Sequence, residues 1–273
     1  MLKNLMICLL AVSAQADFQE VGPDQMDSGS LSLLGREVLQ MPGIRWQHAQ
    51  TERFVYHYER KTFALKAARM AEFLFDHIAK ELNAPAQGPA VRSHIFIFRS
   101  PKDWQEFIRA SGMKEEWAFS VVRGPEMFLQ QADGTAESGS VLAHEMTHLV
   151  INRLFPRRLP LWLNEGMAEW YEEFGYAAFK GIKKSRRAHF KKRDVLYPLA
   201  DLFAATQYPA EVEAFYRTSK MLFGWLMLRQ PAEKIMPFTL DVMNGMSAEE
   251  AFRIHYEMDS ADQLQKELEA FLN

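Results

Sequence analysis

Ser140-Val141-Leu142-Ala143-His144-Glu145-Met146-Thr147-His148-Leu149-Val150-Ile151 sets His-Glu-x-x-His inside an otherwise apolar run. On an α-helix, positions four apart differ by about 40° in azimuth, so His144 and His148 share a face one turn apart. Both imidazoles can then reach a single ion at roughly 2.0–2.1 Å. Glu145 points about 100° away from His144, close enough to accept a proton from a water activated there without being a ligand itself. Val141, Leu142, Met146, Leu149, Val150, Ile151 and Leu154 predict a helix buried on most sides. Two histidines and a glutamate inside such a helix are costly unless each is paired or coordinated. A metal satisfies all three; a structural histidine pair with a salt-bridged glutamate is the alternative.

The next helix start follows a short proline-marked turn, at Pro160-Leu161-Trp162-Leu163-Asn164-Glu165-Gly166-Met167-Ala168-Glu169. Glu165 and Glu169 are also four apart and sit among Trp162, Met167, Trp170 and Tyr171, which argues against two freely solvated carboxylates. Glu165 can complete a His-His-Glu set with a fourth position open for water. Glu169 can accept the second ring proton of His144 and so fix its tautomer.

With both helices in view, the chain resembles the gluzincins, zinc peptidases with His-Glu-x-x-His on one helix and a glutamate ligand on a following one. The stretch around Glu165 is similar to that of aminopeptidase-N-like enzymes, and the step to Glu169 resembles the thermolysin pattern. Closer still is the resemblance to peptidase-MA-like bacterial proteins. It runs through Thr51-Glu52-Arg53-Phe54-Val55-Tyr56-His57-Tyr58, the metal helix and Trp162 to Glu169, about Trp46 to Leu228 in all. The resemblance implies a zincin-like α+β fold of the thermolysin type and a zinc ion on His144, His148 and Glu165. It also implies Glu145 as general base in hydrolysis of a peptide or protein substrate, with Glu169 in support.

It further implies a hydroxyl donor for the substrate oxyanion. Tyr216, at the start of a long amphipathic helix, is the candidate, and Tyr171 is a weaker alternative. Glu126 to Gln131, just before the metal helix, resembles the edge strand along which gluzincins align an extended peptide. Two features depart from the relatives. Only sixteen residues separate His148 from Glu165, and the glycine-x-methionine-glutamate-asparagine motif that grips a substrate amino terminus is missing, so exopeptidase action has no support. Ile151 and Leu154 stand where a metzincin needs glycine and a third histidine. A zincin-fold binding protein without turnover, and a zinc hydrolase of a cell-wall amide, are the alternative functions.

Working outward, Phe54, Tyr56 and Tyr58 alternate as one face of a strand over Glu52 to Glu59. Helical spacing follows from Thr62 to Leu82, then a strand from His94 to Phe98 and a helix capped by Ser100-Pro101. Two strands, Trp117 to Val122 and Glu126 to Gln131, lead to the metal helix over Ser140 to Phe155. Further helices are expected at Leu161 to Phe174, Ala178 to Lys192 and Ala210 to Leu228, with two shorter pieces to the end. The expectation is a mixed sheet with helices in the first half and a mostly helical second half, with the metal helix at the junction.

The chain's 273 residues are 48% apolar, enough for a core without staples, and the net charge of -3 does not suggest a nucleic-acid partner. Lys3, the apolar run Leu5 to Val12 and Ala14-Gln15-Ala16 read as a signal peptide over 1–16, which places the protein in the periplasm or outside the cell. Residues 17–45 read as an extended lead-in that packs on the domain or is removed. Residues 46–273 read as the zincin-like domain, with an α/β lobe over 46–158 and a helical lobe over 159–273. Cys8 is the sole cysteine and falls in the signal, so any metal site must use histidine and carboxylate. The basic block 180–193 reads as a solvated helix face, with an anionic envelope surface as a further partner. His48, His57, His77, His94, His189 and His255 have no ligand spacing.

Overall fold

The computed structural model describes residues 17–84, 91–112, 119–131, 136–186 and 196–271. The signal segment 1–16, the stretch Trp117-Ala118 and the basic residues Arg187, Lys191, Lys192 and Arg193 lie outside them. The fold is α+β. Its sheet joins β1 (Gln19–Val21), β2 (Gln47–Gln50), β3 (Phe54–Tyr58), β4 (Ser93–Phe98), β5 (Ser120–Arg123) and β6 (Glu126–Gln130) in the order β1-β2-β3-β4-β6-β5. β3, β4 and β6 are mutually parallel, and the outer pairs are antiparallel.

The central strands are buried on both faces, which is why β3 reads FVYHY and β4 SHIFIF with little polar punctuation. On one face Phe54, Tyr56, Ile95, Ile97, Met127 and Leu129 meet helix α2 (Lys61–Glu81) and the His-Glu-x-x-His helix α4 (Ala136–Leu154). On the other face Phe96, Phe98 and Phe128 meet α1 (Leu33–Leu39) and Trp104, Phe107 and Ile108 of α3 (Pro101–Ala110). α3 begins as its sequence predicts, with Ser100 Oγ accepting from the Asp103 N–H at 3.4 Å and proline in the first turn.

The second half is helical: α5 (Leu161–Trp170), a π-helical turn (Tyr171–Gly175), α6 (Tyr176–Phe179), α7 (Leu199–Ala204), α8 (Val212–Arg229), α9 (Ala232–Met243), α10 (Ala248–Tyr256) and α11 (Ala261–Phe271). The larger core runs without a break from Ala49 on β2 to Leu268 on α11. The two halves therefore share one interior.

Three expectations change. Residues 17–45 are more than an extended lead-in: they add β1 to the sheet and place α1 over the smaller core. Ser32 there caps α1 and also donates to buried Glu126, with its N–H at 2.7 Å and its hydroxyl at 2.5 Å. β6 is an interior strand, because β4 and β5 pair with its two sides, and β5 forms that edge of the sheet. Adjacency to the metal helix along the chain did not reveal which strand lies outermost.

The third change concerns the helix expected over Ala178 to Lys192, which ends at Phe179. Gly181 adopts φ +69°, its N–H bonds Ala178 O at 2.9 Å, and the Ile182 N–H bonds Ala177 O at 2.8 Å. This is the paired hydrogen bonding of a glycine-terminated helix. Past it the described part of the basic block is only partly solvated. Lys184 pairs with Glu173, while Arg186 pairs with Glu81 at 2.5 Å and lies over the Trp170 ring.

Two side chains in the last turn of α4 lock it to the sheet. Arg153 Nη1 donates to Arg53 O at 3.1 Å and Val91 O at 2.7 Å, and Asn152 Nδ2 donates to Gly124 O at 3.0 Å. α5 is held against α8 by Gly166, where an added Cβ would lie 2.5 Å from Ser219 O. Glycine inside a helix ordinarily costs up to about 1 kcal/mol against alanine. Here the obstacle is backbone and cannot rotate away. Gly166→Ala is therefore expected to lose about 1–3 kcal/mol through overpacking and to displace the neighbouring Glu165. Urea unfolding checks this, and equal or greater stability would refute it.

Candidate metal centre

α4 and α5 cross so that His144, His148 and Glu165 converge. His144 Nε2 and His148 Nε2 are 3.2 Å apart, and Glu165 Oε2 lies 3.6 Å from the first and 3.5 Å from the second. Glu165 is 2% exposed. Its Oε2 is buried with no hydrogen-bond partner among the described residues, and its distances to the rings are at or beyond the limit for useful hydrogen bonds. Ligand atoms around a tetrahedral zinc at roughly 2.0–2.1 Å stand about 3.3–3.4 Å apart. The observed triangle has that size, and its donors are the nitrogen and oxygen types that such a site uses. The residues fit a metal.

Electrostatics point the same way. Burial disfavours a charged imidazole at His144, yet Glu165, Glu172 and Glu145 outweigh it and raise the ring to about 10. Burial likewise opposes ionisation of Glu165, but the two facing imidazoles hold it well below the usual carboxylate range. The pocket thus favours positive charge between these groups, which a cation also supplies.

Glu169 was the expected partner of the other His144 nitrogen, and the structure assigns that place to Glu172. Glu172 Oε2 lies 3.1 Å from His144 Nδ1, against 3.8 Å for Glu169 Oε1. Ser140, one turn before His144, donates to Glu172 Oε1 at 3.2 Å and orients the carboxylate. Glu165, Glu169 and Glu172 are spaced i, i+4, i+7, so all three share a helix face. The signal for Glu172 was present in that spacing. The π-helical turn that begins at Tyr171 settles which of the two comes closer. Glu172→Gln is expected to weaken metal binding by about 10–100-fold, and Glu169→Gln by much less. Chelator competition on both variants checks the order, and the reverse order would restore Glu169 to the role.

Glu145 is half-buried and makes no hydrogen bond or ion pair with the described residues. Tyr216, near the start of α8, feels the charges of Glu165, Glu169 and Glu145, and its ring lies 5.7 Å from that of Tyr208. Burial and those carboxylates push it up to about 12, so it is a protonated donor at neutral pH. Tyr171, the alternative donor, is fully buried on the α2 side, where it neighbours His77 and Glu81.

Tyr208 was not anticipated. It sits between α7 and α8, and its hydroxyl donates to Glu165 Oε1 at 2.9 Å. No residue spacing links it to the motif, so only the fold brings it there.

His48, His57 and His94 are spent on one another across β2, β3 and β4. His57 Nδ1 meets His48 Nδ1 at 2.9 Å, and His57 Nε2 meets His94 Nδ1 at 2.9 Å. Burial keeps them neutral, pushing His94 down to about 4. His255 bonds Asp241. His189 lies outside the described residues. No helix among the described residues is long and apolar enough to cross a membrane. No model of a known protein family matches the chain, and no curated protein matches its sequence.

Proposed function

We propose that the protein is a zinc-dependent peptidase of the gluzincin type with a zincin-like fold, acting outside the cytoplasm. The observation that carries this reading is the convergence within 3.6 Å of one another of His144 Nε2, His148 Nε2 and Glu165 Oε2, which has no hydrogen-bond partner among the described residues. These three residues would hold the ion. When bound, zinc supplies Lewis acidity, bringing the pKa of a coordinated water near 7 and polarising a carbonyl.

The chain's own groups do the rest. Glu172 holds the Nδ1 proton of His144 and keeps Nε2 free to bind. Glu145, with no hydrogen bond or ion pair among the described residues, takes the proton of the attacking water and delivers it to the leaving amine. Tyr216 donates to the oxygen on which charge develops. A peptide adding to the sheet would lie along the edge strand β5, with main-chain hydrogen bonds supplying affinity. The proposed location rests on the signal-like segment at residues 1–16.

The test is hydrolysis of a panel of peptides and unfolded proteins by metal-loaded protein, before and after chelation and zinc add-back. Chelator-sensitive cleavage restored by zinc supports the assignment. Full cleavage by metal-free protein refutes it.

A further inference from the structure

Resting on the metal-centre reading, we propose that Tyr208 is a positioning residue for Glu165. Its hydroxyl occupies one oxygen of Glu165, so that the carboxylate offers the metal only the other. Glu165 Oε1 receives the Tyr208 O–H at 2.9 Å, with Asn164 Nδ2 farther off at 3.5 Å. Oε2 is left bare toward the two imidazoles. An unrestrained carboxylate can turn both oxygens to a metal and so fill the position that a catalytic site keeps for water. A hydrogen bond at Oε1 opposes that rotation.

An ionised carboxylate only accepts, so the single hydrogen of Tyr208 is committed to Glu165.

Tyr208 sits near the surface and reaches inward to Glu165. Its residue is 52% exposed, yet its hydroxyl reaches a carboxylate that is 2% exposed. The following Pro209 restricts the Tyr208 backbone to extended conformations. Ring contacts to Tyr216 at 5.7 Å and Phe215 at 6.4 Å hold its aim. Little core packing depends on so exposed a ring, so its removal is compatible with folding.

The experiment compares full-length wild type, Tyr208→Phe and Tyr216→Phe. Zinc affinity is measured by chelator competition, and the visible spectrum is recorded with cobalt in place of zinc. Tyr208→Phe is expected to weaken zinc binding by about 10–100-fold, as loss of a group orienting a ligand does. Its cobalt bands should also weaken as the second carboxylate oxygen joins the ion. Tyr216→Phe should leave both readouts at wild-type values. Wild-type affinity and an unchanged cobalt spectrum in Tyr208→Phe would overturn the proposal while leaving the metal centre intact. A wild-type protein that binds neither ion would overturn the metal centre and this proposal together.

Discussion

Glu145→Gln is expected to keep the folded state and the bound ion while hydrolysis falls by about 10²–10⁴-fold, the usual worth of a positioned general base. The substitution preserves the size of a half-buried side chain on α4 and removes only its capacity to take a proton. Glu145 has no hydrogen bond or ion pair among the described residues, so none there is lost with its charge. The decisive comparison is turnover on the best peptide substrate beside metal stoichiometry in the same preparation. Undiminished cleavage by Glu145→Gln would remove the base from the mechanism. It would leave the His-His-Glu cluster as a binding site without the proposed chemistry.

The second large effect is on the ion itself. His148→Ala removes one of the three proposed ligand atoms that lie within 3.6 Å of one another, leaving His144 Nε2 and Glu165 Oε2. Two protein ligands fall short of the three that a catalytic zinc site uses. The loss of affinity should exceed the roughly 10–100-fold attached to a residue that merely orients a ligand. The fold should survive, because His148 is partly exposed at the site while the core of α4 is built by Leu142, Met146, Leu149, Val150 and Ile151. Metal content after dialysis, with circular dichroism as the control, measures this. Stoichiometric zinc in a folded His148→Ala protein would exclude His148 as a ligand.

The two sets of variants divide the site by function. His148 is expected to act on binding, Glu145 on turnover, and Glu172 on binding at a lower level. Without a metal, burial and the facing carboxylates act on His144 in opposite directions, and the carboxylates prevail. The positive charge of a ring raised to about 10 must be given up when the nitrogen coordinates. Zinc affinity should therefore rise with pH through the neutral range.

Much of this architecture is legible in the residues. Phe54, Tyr56 and Tyr58 alternate, Ser100-Pro101 caps a helix, and the spacing of His144, His148 and Glu165 brings three candidate ligands to two helix faces. Each of these signals is local, set by helix or strand geometry over a few residues. Gly181 was a local signal too, and its left-handed backbone explains why the expected helix through the basic block stops at Phe179. The strand Gln19–Val21 was harder to see because three residues carry almost no periodicity.

What the sequence determined by itself was the set of groups able to bind a metal and their placement on successive helices, because a helical repeat converts spacing into direction. Tertiary structure alone decided what supports them. It put Glu172 rather than Glu169 against His144 through a π-helical turn, enclosed β6 between β4 and β5, and carried Tyr208 from an irregular segment to Oε1 of Glu165. Those choices depend on how whole elements pack, with Gly166 allowing α5 to lie directly on the Ser219 backbone, and no spacing within a single element encodes them.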